Sequence, residues 1–208
     1  MRLLDRPIAS AQLIGGRLCL DFVNTCAGRA EDGRPLGDRL LEYTDLAAWA
    51  NRAALETGPA AQKMISVAER DPAVAAKIWE RAIALREACF RMLHGVIQNK
   101  APAGADVAIL NREWTEAVRH RMLMPGSPGL QLKWTIDAPD RTLWAVAESA
   151  AQLLASPSTT RLHECGGPDC RWLFVDSSRN GNRQWCDMQL CGNLSKVRRF
   201  RERKAREA

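Results

Sequence analysis

A chain of 208 residues with 46% apolar side chains can bury one or two cores, yet it holds no run near the ~18 consecutive apolar residues of a membrane span. Its net charge is +6, and +5 of that lies beyond residue 160, where eleven Lys/Arg face six Asp/Glu. A near-neutral body with a cationic end excludes a uniformly basic coat and points to a polyanion partner for that end alone. Seven cysteines are an odd number. The opening residues, Met1-Arg-Leu-Leu-Asp-Arg-Pro7, lack the apolar stretch of about 7–15 residues found in a signal peptide. A cytoplasmic, reducing setting is therefore expected, with metal ligation favoured over disulfides.

The body reads as mainly helical. Met1 to Gln12 shows no clear period, and Gly15-Gly16 marks a turn. The apolar run Leu18-Cys-Leu-Asp-Phe-Val-Asn-Thr25 fits either helix or strand. Gly28 to Arg39 reads as a loop. Thr44 can cap a helix through Leu46, Trp49, Ala50 and Ala53; Gly58-Pro59 ends it, and a short helix through Met64, Ile65 and Ala68 follows. The longest helix should start at Asp71-Pro72, with Ile78, Ala82, Leu85, Cys89, Met92 and Val96 in one stripe, and end near Asn99. Another is expected from about Asp106 to Arg119, with Val107, Leu110, Trp114 and Val118 facing inward.

The period then changes to two. Leu130-Gln-Leu-Lys-Trp-Thr-Ile136 alternates like a strand with one buried face, and Pro125 to Gly129 can turn it back on Arg121–Met124 as a small hairpin. Pro139 opens a helix with Leu143, Ala147, Ala150 and Leu154 on one face. Ser156-Pro157 ends it and divides the chain into a mainly helical part, 1–156, and a small C-terminal part, 157–208.

That last part carries the clearest chemistry. Cys165 and Cys170 have four residues between them, as do Cys186 and Cys191, and fifteen residues separate the pairs. Two short-range thiolate pairs with a spacer of this length suit one tetrahedral Zn²⁺, and four thiolates leave no place for water, so the metal is structural. Arg171 to Asp176 should be a strand, Ser177 to Asn182 a turn, and Arg183-Gln-Trp185 the returning strand of a hairpin. Asp187 can cap a final helix whose first turns supply Cys191. This is a treble-clef-like arrangement within an α+β chain. Leu194, Val197 and Phe200 are expected to seat the final helix on the hairpin, leaving Lys196, Arg199, Arg203 and Arg206 on an exposed face.

Cys165-Gly-Gly-Pro-Asp-Cys170, Trp172-Leu-Phe174, Asp176, Ser178-Arg-Asn180, Arg183-Gln-Trp-Cys186 and Cys191-Gly-Asn193 together resemble the CGNR zinc finger. Gly15-Gly16 with Leu20-Asp-Phe-Val-Asn-Thr25 resembles the ABATE domain that accompanies it, a stress-induced transcription regulator. The two likenesses span the chain and imply a bacterial DNA-binding regulator. Leu194 stands where the family's name calls for Arg, so any DNA contact of that Arg is missing here.

The leading expectation is a zinc-containing transcriptional regulator. Its C-terminal module binds duplex DNA, and its N-terminal domain senses a ligand or forms a homodimer. Lys196, Arg199, Arg203 and Arg206 would meet phosphates, while Arg179, Asn180 and Arg183 in the turn would read bases. Asp21 and Asn24, with Thr25, are polar residues in an apolar run. They could line a pocket for a small-molecule effector or cap the local fold. Asp176 could pair with Arg179 or Arg183, or begin the turn. Trp172 and Trp185 could pack in the core or stack on bases. Cys19, Cys26 and Cys89 lack paired spacing and read as small buried apolar residues. No catalytic constellation is present: His163-Glu164-Cys165 lacks the spacing of a zinc deaminase, and His94 and His120 have no partner pattern in sequence. The alternative is a ligand- or protein-binding module in which zinc is a staple or shapes a docking surface.

Overall fold

A computed structural model describes residues 8–56 and 58–207, so the unpatterned segment through residue 7 lies outside the described residues. The ambiguous apolar run is a short helix, α1 (Leu18–Val23), whose Cys19, Leu20, Phe22 and Val23 are all buried. The expected loop after it holds a minimal antiparallel pair, β1 (Gly28–Arg29) and β2 (Pro35–Leu36). In α2 (Tyr43–Arg52) the N-cap is Glu42 rather than Thr44. The Asp45 carboxylate accepts from the Leu41 and Glu42 N–H groups at 2.8 and 3.2 Å, and a carboxylate serves the free N–H groups of a first turn better than a hydroxyl. Gly58-Pro59 then forms the first turn of α3 (Gly58–Arg70), so this helix is longer than expected.

The central element is α4 (Pro72–Ile97), capped by Asp71, whose Oδ1 accepts from Val74 N at 3.0 Å. Its stripe of Ile78, Ala82, Leu85, Cys89 and Met92 is buried as expected. Asn99, in the left-handed region with φ 54°, turns the chain away just past the helix end. Around α4 pack α1, α2, α3, α5 (Gly104–Arg119) and α6 (Arg141–Leu154), forming one core in which Phe22 and Trp49 meet at 4.9 Å. In α5 the expected inward face is rotated. Trp114 and Val118 are exposed, whereas Asp106, Leu110, Glu113 and Ala117 are buried. The reason is electrostatic: Glu113 pairs with Arg81 of α4 at 2.6 Å, and Asp106 pairs with Arg91. Paired carboxylates can enter an interface that a stripe of apolar residues was expected to fill.

The predicted hairpin is present as β3 (Arg121–Pro125) and β4 (Leu130–Trp134), with Leu123 opposite Leu132. Neither face is buried beyond its root. The C-terminal part follows a 3-10 turn, with β5 (Leu162–Glu164) antiparallel to β6 (Leu173–Val175), then a wide helical turn at Met188–Gly192 and α7 (Asn193–Glu207). The expected pairing of β6 with Arg183-Gln-Trp185 is corrected. Those three residues form no strand, and β6 takes its partner from the residues just before Cys165. The chain is α+β, mainly helical, with three small two-stranded sheets among the described residues.

Candidate metal centre

The four paired cysteines converge. The Sγ atoms of Cys165, Cys170, Cys186 and Cys191 all lie within 4.8 Å of one another, and all four residues are buried. Cys186 Sγ lies 3.6 Å from both Cys170 Sγ and Cys191 Sγ. A tetrahedron with Zn–S bonds of about 2.3 Å has sulfur–sulfur edges of roughly 3.8 Å, so the chemistry and close grouping of the four sulfurs suit zinc. Two backbone N–H groups point at Cys165 Sγ, from Cys186 at 3.2 Å and Gly167 at 3.4 Å, and such bonds stabilise a thiolate.

Local geometry brings the pairs together. In the first knuckle Cys170 N donates to Gly167 O, and Asp169 and Arg171 take the left-handed conformation, with φ of 57° and 53°. A side chain at Gly167 would sit 3.0 Å from Cys191 Sγ, so any larger residue would crowd the fourth sulfur. Gly166 N donates to Gln184 O at 3.0 Å and joins the first knuckle to the second. Asp187 caps the second pair as expected, accepting from Gln189 N and Leu190 N at 2.6 and 3.0 Å. The Gly192 N to Asp187 O bond, 3.1 Å across five residues, widens this turn and swings Cys191 inward. When bound, Zn²⁺ joins the two knuckles and holds the start of α7.

The module is docked on the helical body through the run that includes α1. Asn24 Nδ2 donates to Leu173 O at 2.8 Å, and Leu173 N donates to Asn24 Oδ1 at 3.0 Å. The Asn24 amide thus takes the place of a missing strand neighbour for β6. Val175 N donates to Gly15 O, Arg29 N to Cys170 O, and Trp172 Nε1 to Cys26 O, at 2.9, 3.1 and 3.0 Å. At Gly28 a Cβ would lie 1.8 Å from the Asp169 carbonyl oxygen, so the knuckle can approach only a glycine here. Leu162 and Leu173 enter the main core. Beside this seam Arg29 and Arg86, each 1% exposed at the side chain, are neutralised by Glu87 and Asp38 at 2.6–2.8 Å. Next to them His94 meets Glu164 at 2.8 Å, a partner no sequence pattern announced.

The expected site residues divide accordingly. Asn24 is engaged at both ends by Leu173, and Asp21 Oδ1 accepts from Gly15 N at 2.8 Å, so both side chains serve the local fold. Burial pushes the Asp21 carboxyl up to about 6, against the smaller opposing pull of the Gly15 and Ile14 N–H groups. Asp176 starts the turn: it accepts from Ser178 N and Arg183 N, both at 2.8 Å, and the Ser178 hydroxyl first, then the Arg183 N–H, hold its carboxyl down at about 2. It forms no ion pair with Arg183, whose guanidinium instead lies 4.3 Å over the Phe174 ring and donates to the Trp185 and Cys186 carbonyls. Arg183 thus holds the second knuckle together and is half-buried there. Arg179 and Asn180 are exposed at the turn.

Trp172 is buried, and Trp185 is half-buried with its Nε1 donating to Ser195 Oγ at 3.1 Å. Ser195 is buried at the start of α7, against Trp185 of the zinc module. Leu194, Val197 and Phe200 do not seat the helix, being 58%, 48% and 50% exposed. Lys196, Arg199 and Arg203 are exposed; the side chain of Arg206 lies outside the described residues. Arg199 borders a shallow cleft of about 480 Å³ with His163, Asn182, Gln184 and Trp185. Cys19, Cys26 and Cys89 are fully buried, and burial raises all three thiols, Cys19 to about 11, which makes them unreactive packing groups.

Fold and site together define a zinc-binding protein with a helical body and a cysteine-stapled C-terminal module. Residues 161–204 match the family model of the CGNR zinc finger, and residues 16–157 match ABATE, described as a putative stress-induced transcription regulator. The chain belongs to the ABATE family, with the CGNR finger at its C-terminal end. No curated protein matches it. Among the described residues, no helix is long and apolar enough to cross a membrane.

Proposed function

We propose that this protein is a bacterial, cytoplasmic transcriptional regulator that binds duplex DNA through a treble-clef-like zinc module, while its helical domain receives an effector or a second copy. The observation that carries the reading is the setting of α7. Its first turn is held by Cys191 and Ser195, and its remaining exposed length carries Lys196, Arg199 and Arg203 with few acidic neighbours. A rigidly based cationic helix of 15 residues, about 22 Å long, suits the wide groove of DNA. Arg179 and Asn180, exposed at the turn, are the leading base readers, with Arg183 beside them already engaged in the second knuckle. The reading is of a binding protein, not an enzyme. The test is selection of bound sequences from random duplex DNA, with and without chelator. Enrichment that disappears on chelation supports the proposal, and no enrichment in either arm overturns it.

The exposed Leu194, Val197 and Phe200 favour a second reading, in which α7 docks on a protein. Binding to DNA that ignores salt, or none at low salt, would support that alternative.

A further inference from the structure

The shallow cleft of about 480 Å³ beside α7 is lined by Asn182, Arg183 and Gln184 from the second knuckle and by Arg199 from the helix. The knuckle backbone is pinned here. Gly166 N donates to Gln184 O at 3.0 Å, and Arg183 N donates to the Asp176 carboxylate at 2.8 Å. Asn182 and Gln184 are exposed, and among the described residues neither carboxamide has a hydrogen-bond partner. Charge in the cleft is unbalanced. Neither Arg183 nor Arg199 is paired with a carboxylate among the described residues. Glu164, the one carboxylate of the lining, is already held by Arg171 and His94. Free donors on a fixed backbone, with a surplus of positive charge, suit an anion rich in acceptors.

We infer that this cleft seats the sugar–phosphate backbone of one DNA strand, with Arg199 supplying charge and the Asn182 and Gln184 carboxamides donating to phosphate oxygens. The inference rests on the reading of α7 as a helix that enters the wide groove of a duplex. A groove about 12 Å wide is filled by one helix, and beside that helix lies the strand that walls the groove. The cleft is in that place. Its lining runs from α7 to Asn182, at the end of the turn that carries Arg179 and Asn180. A strand touched by both the helix and the turn crosses it. A recess receives a projecting backbone, whereas base edges lie within a groove and are reached by parts that project. The two carboxamides therefore fix the position of the protein on the duplex without reading its sequence.

The test uses the zinc-loaded full chain and two labelled duplexes, one AT-rich and one GC-rich, titrated at fixed low salt by fluorescence anisotropy. Asn182→Asp and Gln184→Glu put a carboxylate where the phosphate would sit. Each should weaken binding about tenfold, equally on both duplexes. Gln62→Glu, the same change of charge at an exposed position of α3, should leave affinity unaltered. Asn182→Ala and Gln184→Ala add no charge near the metal site. Each should weaken binding about threefold with the log–log salt slope kept, because a neutral donor releases no counterion. Both side chains are exposed and unbonded, so zinc content and circular dichroism of all four variants should match the parent. Affinity that all four leave unchanged, while the parent binds, overturns the inference and leaves the DNA reading standing. A loss confined to one duplex overturns it in favour of base reading. A parent that binds neither duplex overturns the DNA reading as well.

Discussion

Asn24 shows how much one side chain can do for the seam between the two parts. Both ends of its amide are bonded to Leu173, and all four groups are buried. Asn24→Ala should leave the Leu173 N–H and C=O without partners, at a cost of about 2–4 kcal/mol, read by denaturant unfolding. Its polar character within an apolar run was visible in the sequence; its partner, 149 residues away, was not. Asp21 supplies a pH signature. Its carboxyl has an ordinary value of 3.8 and is raised to about 6 by burial, so the folded state holds the proton more tightly than the unfolded one. The stabilisation is then complete below about pH 4 and is lost as pH rises through 6, for up to roughly 3 kcal/mol. Asp21→Asn should flatten the difference in unfolding stability between pH 4.5 and pH 7; an unchanged difference would show that the carboxyl titrates normally. The four ligand cysteines were legible because two tight turns with matched spacing have few other uses, and the three packing cysteines because they lack that spacing.

Helices were easier to read than strand partners or buried faces. The long stripe of α4 and the caps at Asp71 and Asp187 were apparent because they are local. The buried face of α5 was misread because Glu113 and Asp106 enter the interface with arginines from α4, and no apolar period records an ion pair. The strand pairing of β6 was misread because a hairpin after the first knuckle looked simpler than a partner placed before it. The outward position of Leu194, Val197 and Phe200 was likewise hidden, since spacing identifies a face but not what covers it. Their exposure makes Leu194→Arg a clean test. The new side chain meets solvent, so stability should change by no more than about 0.5 kcal/mol. Affinity for duplex DNA should rise, as measured by fluorescence anisotropy at fixed salt. An unaltered affinity would place position 194 away from the DNA.

The boundary expected at Ser156-Pro157 lies just past α6, yet Leu162 and Leu173 beyond it are part of the main core. Zinc removal should therefore lower the stability of the helical body as well as the finger. Thermal unfolding with and without chelator should show the main transition moving down, and a main transition that stays in place would show that the two parts fold separately. The remaining claim is that zinc sets α7 for contact with DNA. It is tested most directly by the salt dependence of duplex binding, comparing the parent with the Lys196→Ala, Arg199→Ala double variant. Four phosphate contacts, from Lys196, Arg199, Arg203 and Arg206, predict a log–log slope of roughly −3.6, which the double variant should reduce in magnitude by about 1.8. A slope near zero, or one that the two substitutions leave unchanged, would contradict the claim.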